Sequence, residues 1–145
     1  MKNQTYQNHV RYYPFHHFVI TPLTIAFLVW TIWRSDFSTS ELTESSLYHI
    51  LLGIIVALVP FLARIYALKL QNRIILSEMR MRYFQLTGKF LDPLEAKLKL
   101  SQLIALRFAS DEELISLMEK AASTKMSPKE IKKAIQNWKG DYRRV

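Results

Sequence analysis

The chain of 145 residues joins strongly apolar segments to strongly polar ones, because half of its residues are hydrophobic while its mean hydropathy is only +0.01. A net charge of +8 indicates an anionic partner, such as lipid headgroups or nucleic acid. The absence of cysteine excludes disulfide bonds, thiol catalysis and cysteine-ligated zinc or iron–sulfur sites.

The first predicted element is an apolar helix over residues 17–33. It reads HFVITPLTIAFLVWTIW and contains no Asp, Glu, Lys or Arg. Such a helix rises about 26 Å, close to the roughly 30 Å of a bilayer's hydrocarbon layer. The segment is therefore predicted to span a membrane. Amphipathic residues around its two ends are predicted interfacial anchors: Tyr12, Tyr13, His16, His17, Trp30 and Trp33.

Pro22 allows two interpretations of how this span begins. In one, Thr21 and Pro22 are an N-cap and first helical residue, so that the helix begins at Pro22 and residues 14–20 lie along the inner membrane surface. In the other, the helix begins earlier and Pro22 kinks it, because proline lacks the backbone N–H that an interior helical residue donates. The sequence leaves both open.

The second predicted span covers residues 47–68. Its first part, LYHILLGIIVALVPFLA, again holds no charged residue and contains a second internal proline, Pro60. Arg64 follows near the end, where an arginine lays its stem along the apolar layer and places its guanidinium among headgroups. Gly53 and Ala57 form a small-xxx-small pair, which favours the close approach of another helix.

Two alternatives to this pair of spans are weaker. Buried core helices of a soluble protein are one, but a globular surface helix needs a polar face and these segments have none. A cleaved signal peptide is the other. Trp33, however, is followed by RSDFSTSELTESS, which lacks a small-residue cleavage pattern, and a second apolar run comes soon after.

The flanking charges predict the orientation of the spans, since cytoplasmic loops carry the excess of Lys and Arg. Segment 1–16 contains two basic residues and no acidic one, whereas loop 34–46 contains one basic residue and three acidic ones. Basic residues again predominate after the second span. We therefore expect a hairpin over residues 17–70 in a bacterial inner membrane, with both termini cytoplasmic and loop 34–46 outside.

Residues 71–89 are predicted to be a juxtamembrane helix that continues the second span and ends near Thr87 and Gly88. Lys69, Arg73 and Arg80 share one side of it, so they are predicted to contact lipid headgroups. Its apolar residues fall on two other arcs, which indicates two neighbours. The first arc holds Leu70, Ile74 and Met81, and the second holds Leu68, Ile75, Met79 and Leu86.

Residues 90–145 are predicted to form a small bundle of short helices, which makes the fold all-α. Three capping-box patterns mark helix starts: Asp92 with Glu95, Ser110 with Glu113, and Ser127 with Glu130. Between the first two, KLKLS alternates like a strand, and Ser101 is a second possible cap. The last helix is predicted to bury a stripe at helical spacing: Ile131, Ala134, Ile135 and Trp138.

Two stretches carry a resemblance to a known family: NHVRYYPFHHFV at residues 8–19 and IALRFASDEEL…SPKEIKKAIQNW within residues 104–138. Together they resemble a family of two-span bacterial inner-membrane proteins with a domain of unknown function, some loosely labelled transporter permeases. The resemblance implies a membrane location and no activity. Two spans without a nucleotide-binding part are also too few for a permease alone.

The histidines and one acidic cluster are the candidate chemical sites in the sequence. His9, His16 and His17 lack a recognised ligand spacing, and His49 is predicted at the opposite membrane face from His17, so membrane anchoring is favoured over metal or haem. Asp111, Glu112 and Glu113 occupy a first helical turn, where carboxylates complement the helix dipole. The sequence has no glycine-rich phosphate loop, metalloprotease motif or Ser/His/Asp arrangement. We therefore expect neither an enzyme nor a cofactor.

The expected function is that of a non-catalytic accessory or scaffold subunit of a larger inner-membrane assembly. Its expected partners are the lipid bilayer and another membrane protein or a second copy of the chain. The alternative is a membrane-tethered protein that binds a ribosome or nucleic acid through its basic C-terminal region. The residues of that alternative are Lys129, Lys132, Lys133, Lys139, Arg143 and Arg144.

Overall fold

The computed structural model describes residues 4–9, 12–35 and 44–141. Over these residues the protein is all-α, as predicted, with one isolated β-bridge between Ala109 and Trp138 and no strand. A π-helical turn precedes six α-helices. Their bounds are His16–Ile20 for the π-helical turn, then α1 Thr21–Arg34, α2 Glu44–Thr87, α3 Asp92–Glu95, α4 Leu100–Leu106, α5 Asp111–Thr124 and α6 Pro128–Ala134.

The described residues divide into two compact units. The apolar unit contains residues 12–35 and 44–68, and the C-terminal unit contains residues 4–9 and 69–141. Helix α2 contributes to both. The sequence did not predict that residues 4–9 belong with the C-terminal unit. Most of the predicted external loop, at residues 36–43, lies outside the described residues.

Two helical segments of the protein are long and apolar enough to cross a membrane. They are His16–Arg34 and Glu44–Thr87, and only 6% of the most apolar window of each is buried within the protein. A core helix of a soluble protein would bury most of such a window against its own chain. Most residues in these two windows are instead exposed or only half-buried among the described residues.

The start of the first apolar helix decides between the two interpretations of Pro22. Thr21 has helical backbone angles, and both its N–H and its hydroxyl donate to the carbonyl of His16. Thr21 is therefore not an N-cap, and the interpretation in which the helix begins at Pro22 is wrong. The π-helical turn directly before Pro22 shifts the hydrogen-bond register by one residue, next to the position at which proline has no N–H to donate.

Within the apolar unit, α1 and α2 approach closely at Gly53. A Cβ atom placed on Gly53 would collide with Oγ1 of Thr31 and lie 3.2 Å from Cδ1 of Leu28. Thr31 is buried, and its hydroxyl donates to the carbonyl of Leu28 at 2.8 Å, so it presents no unsatisfied donor to the contact. Ala57, the other member of the small-residue pair, is half-buried.

The C-terminal unit has one hydrophobic core that includes one face of α2. Ile75 and Met79 lie in this core and are 4% and 2% exposed. The largest fully buried side chains come from several elements: Phe108, Met79, Leu91, Leu103, Leu106, Leu114, Met118 and Ile131. The short helices therefore use α2 as part of their scaffold, which compensates for the small core that so few residues can build alone.

The predicted helix starts differ in outcome. At Ser127 the capping box is confirmed, because Ser127 Oγ accepts from the Glu130 N–H at 3.3 Å and Glu130 accepts from the Ser127 N–H at 2.7 Å. Ser127 lowers the pKa of Glu130 through the same contact. At Ser110, Glu113 accepts from the backbone N–H at 3.3 Å. Both helices thus begin where the sequence indicated.

The capping box predicted at Asp92 is wrong. Asp92 is the first residue of α3 rather than its cap, and the residue before it, Leu91, makes no side-chain capping bond. Glu95 instead accepts two charge-assisted hydrogen bonds from Arg80, and such bonds are about twice as strong as neutral ones. The strand-like alternation at residues 97–101 also forms no strand, since α4 begins at Leu100 after the cap residue Lys99.

The last helix is shorter than predicted. Helix α6 ends at Ala134, and Ile135 already has an extended backbone. The backbone N–H groups of Gln136 and Asn137 donate to the Glu113 carboxylate at 3.1 and 3.0 Å, which turns the chain back across the start of α5. Ile135 still reaches the core and Trp138 packs against it, so the predicted apolar residues are inside although the helix that was to carry them stops early.

The contact at Gly53 generates a test of α1–α2 packing. Changing Gly53 to Ala adds a Cβ against Thr31, so we expect the detergent-solubilised protein to lose about 1–3 kcal/mol of stability, the usual cost of overpacking. Thermal denaturation followed by circular dichroism measures the effect. Thr31→Ala removes the colliding hydroxyl. In that background, the change of Gly53 to Ala should therefore cost less stability than it does in the unchanged protein. Equal losses in both backgrounds would contradict the contact.

Candidate interaction surfaces

The predicted interfacial anchors lie at the two ends of the first apolar helix and along α2. Tyr12 and Tyr13 precede the helix and are exposed, and Trp30 and Trp33 near its end are 56% and 84% exposed. The ring of His17 packs edge-on against Tyr12, with centroids 5.3 Å apart. The other two anchors, His16 and Arg64, are half-buried. The anchoring role of all seven residues stays a prediction.

The structure divides the histidines that the sequence groups together. His16 and His17 belong to the apolar unit, with ring centroids 5.2 Å apart, whereas His9 belongs to the C-terminal unit. Among residues 4–9, 12–35 and 44–141, no group of three or more His, Cys, Asp or Glu side chains is placed to hold a metal ion.

The predicted headgroup contacts fall into two environments. Lys69 and Arg73 are exposed on α2. Arg80 donates from Nε and Nη2 to the Glu95 carboxylate, with both distances 2.7 Å. The hydrogen bonds from Arg80 hold the pKa of Glu95 below its ordinary value, so the pair stays ionised. The charge of Arg80 is thus balanced within the protein, while a role for the three residues at headgroups stays a prediction.

Arg82, which the sequence did not single out, fixes α2 to the turn between α4 and α5. Its side chain is only 14% exposed and pairs with Asp111 at 2.5 Å. The same guanidinium donates to the carbonyls of Arg107 and Ala109 at 3.2 and 2.6 Å. The hydrogen bond from Arg82 lowers the pKa of Asp111, and Lys139 lowers it further. No local pattern in the sequence marks these partners.

The carboxylates at the start of α5 have structural partners. Asp111 binds Arg82 and Lys139. Glu113 accepts from the backbone N–H of Ser110 and from those of the segment that follows α6. A polar cleft of 590 Å³ lies beside them, with Gln4 and Thr5 on its other wall. Because Asp111 and Glu113 are already engaged, their contacts support the interpretation that these two carboxylates stabilise the fold.

The N-terminal segment is tied to the end of the chain. Oε1 of Gln4 accepts from the Asp141 N–H at 2.8 Å, and its Nε2 donates to the carbonyl of His9 at 3.3 Å. The His9 ring lies against both Phe108 and Trp138, at centroid distances of 6.0 and 5.9 Å. Residues 4–9 therefore form part of the C-terminal unit's surface.

One face of α2 in the C-terminal unit is apolar and exposed. It holds Leu70, Ile74, Met81 and Phe84, which are 58%, 51%, 60% and 44% exposed. We call these four residues the exposed α2 face. Phe90, 74% exposed, stacks on Phe84 with centroids 5.4 Å apart and extends the apolar surface. Of the two apolar arcs that the sequence indicated, the first is exposed, and the second lies in the core only at Ile75 and Met79, since Leu68 and Leu86 are 39% and 41% exposed.

The family to which this architecture belongs is shown by the match of the whole chain, residues 1–145. The protein belongs to a family of unknown function, DUF6526. No curated protein matches the chain, and no solved structure matches it. Membership in a family of unknown function was implied by the resemblance and is confirmed. The two-span bacterial topology and the transporter label in that resemblance stay predictions.

For this DUF6526 protein, the Arg82 network gives a sharp stability test. Changing Arg82 to Met keeps an apolar stem but removes the stronger of two donors to Asp111 and the donor to the carbonyls of Arg107 and Ala109, which we expect to cost about 2–3 kcal/mol. Arg73→Met is the matched control, because Arg73 is an exposed arginine on the same helix. Thermal denaturation of the two variants should show a large loss for Arg82 only. Similar melting temperatures would contradict the network's importance.

Proposed function

We propose that the protein is a non-catalytic integral membrane protein that acts as an accessory or scaffold subunit of a larger inner-membrane assembly. The observation that carries the proposal is the exposed α2 face, an apolar surface on a helix whose opposite side is part of a folded core. Monomeric soluble proteins rarely expose such contiguous apolar surface, and it usually marks a site of interaction.

The membrane part of the proposal is supported by the apolar unit. Its two long apolar helices leave most of their side chains uncovered by the rest of the chain, and a hydrocarbon layer is the surrounding in which such helices are stable. Exposed aromatic residues near the helix ends fit the polar interfaces of a bilayer. We propose that these helices form a transmembrane hairpin whose close contact is at Gly53.

The orientation is proposed from charge alone. Loop 34–46 is acidic and short, while the regions before and after the spans are basic, so both termini are placed in the cytoplasm. The C-terminal unit is then a cytoplasmic domain next to the membrane. Residues 4–9 are on the same side by this topology, which agrees with their packing on that unit.

The described basic residues of the nucleic-acid alternative differ in their surroundings, and Lys129 and Lys133 are exposed. Of its six basic residues, Lys132 lies 3.0 Å from the His9 ring and Lys139 pairs with Asp111 at 3.3 Å. Arg143 and Arg144 lie outside the described residues. The positive excess is also what the cytoplasmic side of a membrane protein requires. We therefore propose protein partners rather than nucleic acid.

Cysteine accessibility tests the topology, because the chain has no cysteine of its own. In intact cells, we expect a membrane-impermeant thiol reagent to label Ser40→Cys, in the predicted external loop. We expect Ser123→Cys, exposed on α5, to be labelled only after permeabilisation. The reverse pattern would overturn the orientation, and labelling of neither variant in intact cells would contradict an external loop.

Native electrophoresis tests the scaffold role. After gentle detergent extraction, we expect the protein to migrate in a species larger than its monomer, with other chains identified by mass spectrometry. Met81→Glu puts a charge in the middle of the exposed α2 face, so it should shrink that species. Ser116→Glu, at an exposed position of α5, is the control and should not. A lone monomer in every detergent would count decisively against the proposal.

A further inference from the structure

The exposed α2 face has the residue spacing of a coiled-coil seam. Leu70, Ile74, Ser77, Met81 and Phe84 follow one another at intervals of four, three, four and three residues. All five are exposed. This alternation keeps side chains on one stripe of a helix and is the spacing of the core positions at which two helices interlock. Ser77, at the centre, is the polar member of the stripe.

Burial around the rest of the helix follows the same repeat. Ile75, Met79 and Arg82 lie on the opposite side and are held by the core or by the Arg82 network. Every residue of the stripe is thus exposed while the back of the helix is packed against its own domain. A second helix can therefore approach Leu70, Ile74, Ser77 and Met81 without displacing the unit that α2 supports, while at Phe84 it also meets the Phe90 ring stacked there.

The charged residues beside the stripe indicate which kind of helix can pair with it. Arg73 lies on one flank and Glu78 on the other, five residues further along, and both are exposed. In a parallel pair of identical helices, a residue on the first flank meets the residue five positions later on the partner. Arg73 of each copy then faces Glu78 of the other, and symmetry makes the contact twice.

An antiparallel pair places like flanks together. Glu78 of one helix would face Glu78 of the other, and Arg73 would lie beside Arg80, whose charge Glu95 already balances, instead of beside Glu78. Such like-charge contacts are unfavourable. The flanking charges therefore favour the parallel arrangement of two copies and disfavour the antiparallel one.

We infer that residues 70–84 of α2 form a parallel two-stranded coiled coil with a second copy of this chain. This names the partner for the exposed α2 face, and it rests on the proposed function for placing both copies in one bilayer in the same direction. A seam this short is weak for free helices in water. Two anchored copies meet at a higher effective concentration, which strengthens a weak contact without any new interaction.

Cross-linking at the seam tests the inference in membranes from cells expressing the full-length protein. Ser77→Cys places a single thiol on the proposed two-fold axis, and Ser123→Cys places one at an exposed serine of α5 as the matched control. With a short bismaleimide, we expect Ser77→Cys to yield a covalent dimer well above the control. Equal yields from the two variants would overturn the coiled coil.

Charge reversal tests the parallel register in the Ser77→Cys background. Arg73→Glu or Glu78→Arg alone creates like-charge pairs, so the association should fall about fivefold, equal to about 1 kcal/mol. The double reversal restores opposite charges and should recover the original yield. A double variant no better than either single one would overturn the register. Unchanged melting temperatures of the exposed-site variants serve as the folding control.

The outcomes separate this inference from the proposed function. If the protein stays in the membrane after alkaline extraction and migrates with other chains, but Ser77→Cys does not cross-link, the coiled coil is wrong and the scaffold role stands. If Ser77→Cys cross-links but alkaline extraction releases the protein, the seam stands and the membrane placement fails.

Discussion

The helical period of α2 is the constraint on which the rest of the C-terminal unit depends. Over residues 69–87, that period places Ile75 and Met79 in the core, Arg82 beside the turn after α4, and Leu70, Ile74 and Met81 on the outside. The short helices α3 to α6 cannot build a large core by themselves, so their packing requires the inner face. Because α2 carries apolar residues on two sides, packing one side in the core leaves the other apolar side exposed.

Ionic contacts hold this arrangement together, and they use carboxylates on the short helices. Glu95 in α3 binds Arg80, and Asp111 in α5 binds Arg82, so two arginines of α2 are each paired with a different short helix. The lowered pKa values of both carboxyls follow from these hydrogen bonds. Glu95 and Asp111 thus stabilise the packing of α3 and α5 on α2.

Both ends of the described chain meet on the C-terminal unit. Gln4 bonds the backbone at Asp141, and His9 packs against Phe108 and Trp138. Residues 12–35 and 44–68 form a separate compact unit that lies between these contacting residues in the chain. If the apolar unit is a transmembrane hairpin, as we propose, the contact requires the hairpin to begin and end on one side of the membrane, which is the topology that the charges favour.

Features that depend on residues close together in the chain could be predicted from the sequence. Uncharged runs predicted two long apolar helices, and Ser127 with Glu130 predicted a helix start. Gly88 predicted the end of α2, where the structure gives it a positive φ. Other features depend on tertiary contacts. Glu95 binds Arg80 instead of capping a helix, and α6 ends at Ala134, where the following backbone N–H groups donate to Glu113. The docking of Gln4 and the partners of Arg82 belong to the same class. These contacts join residues far apart in the chain. A local sequence pattern can indicate that a polar side chain needs a partner, but it cannot indicate which distant group is that partner.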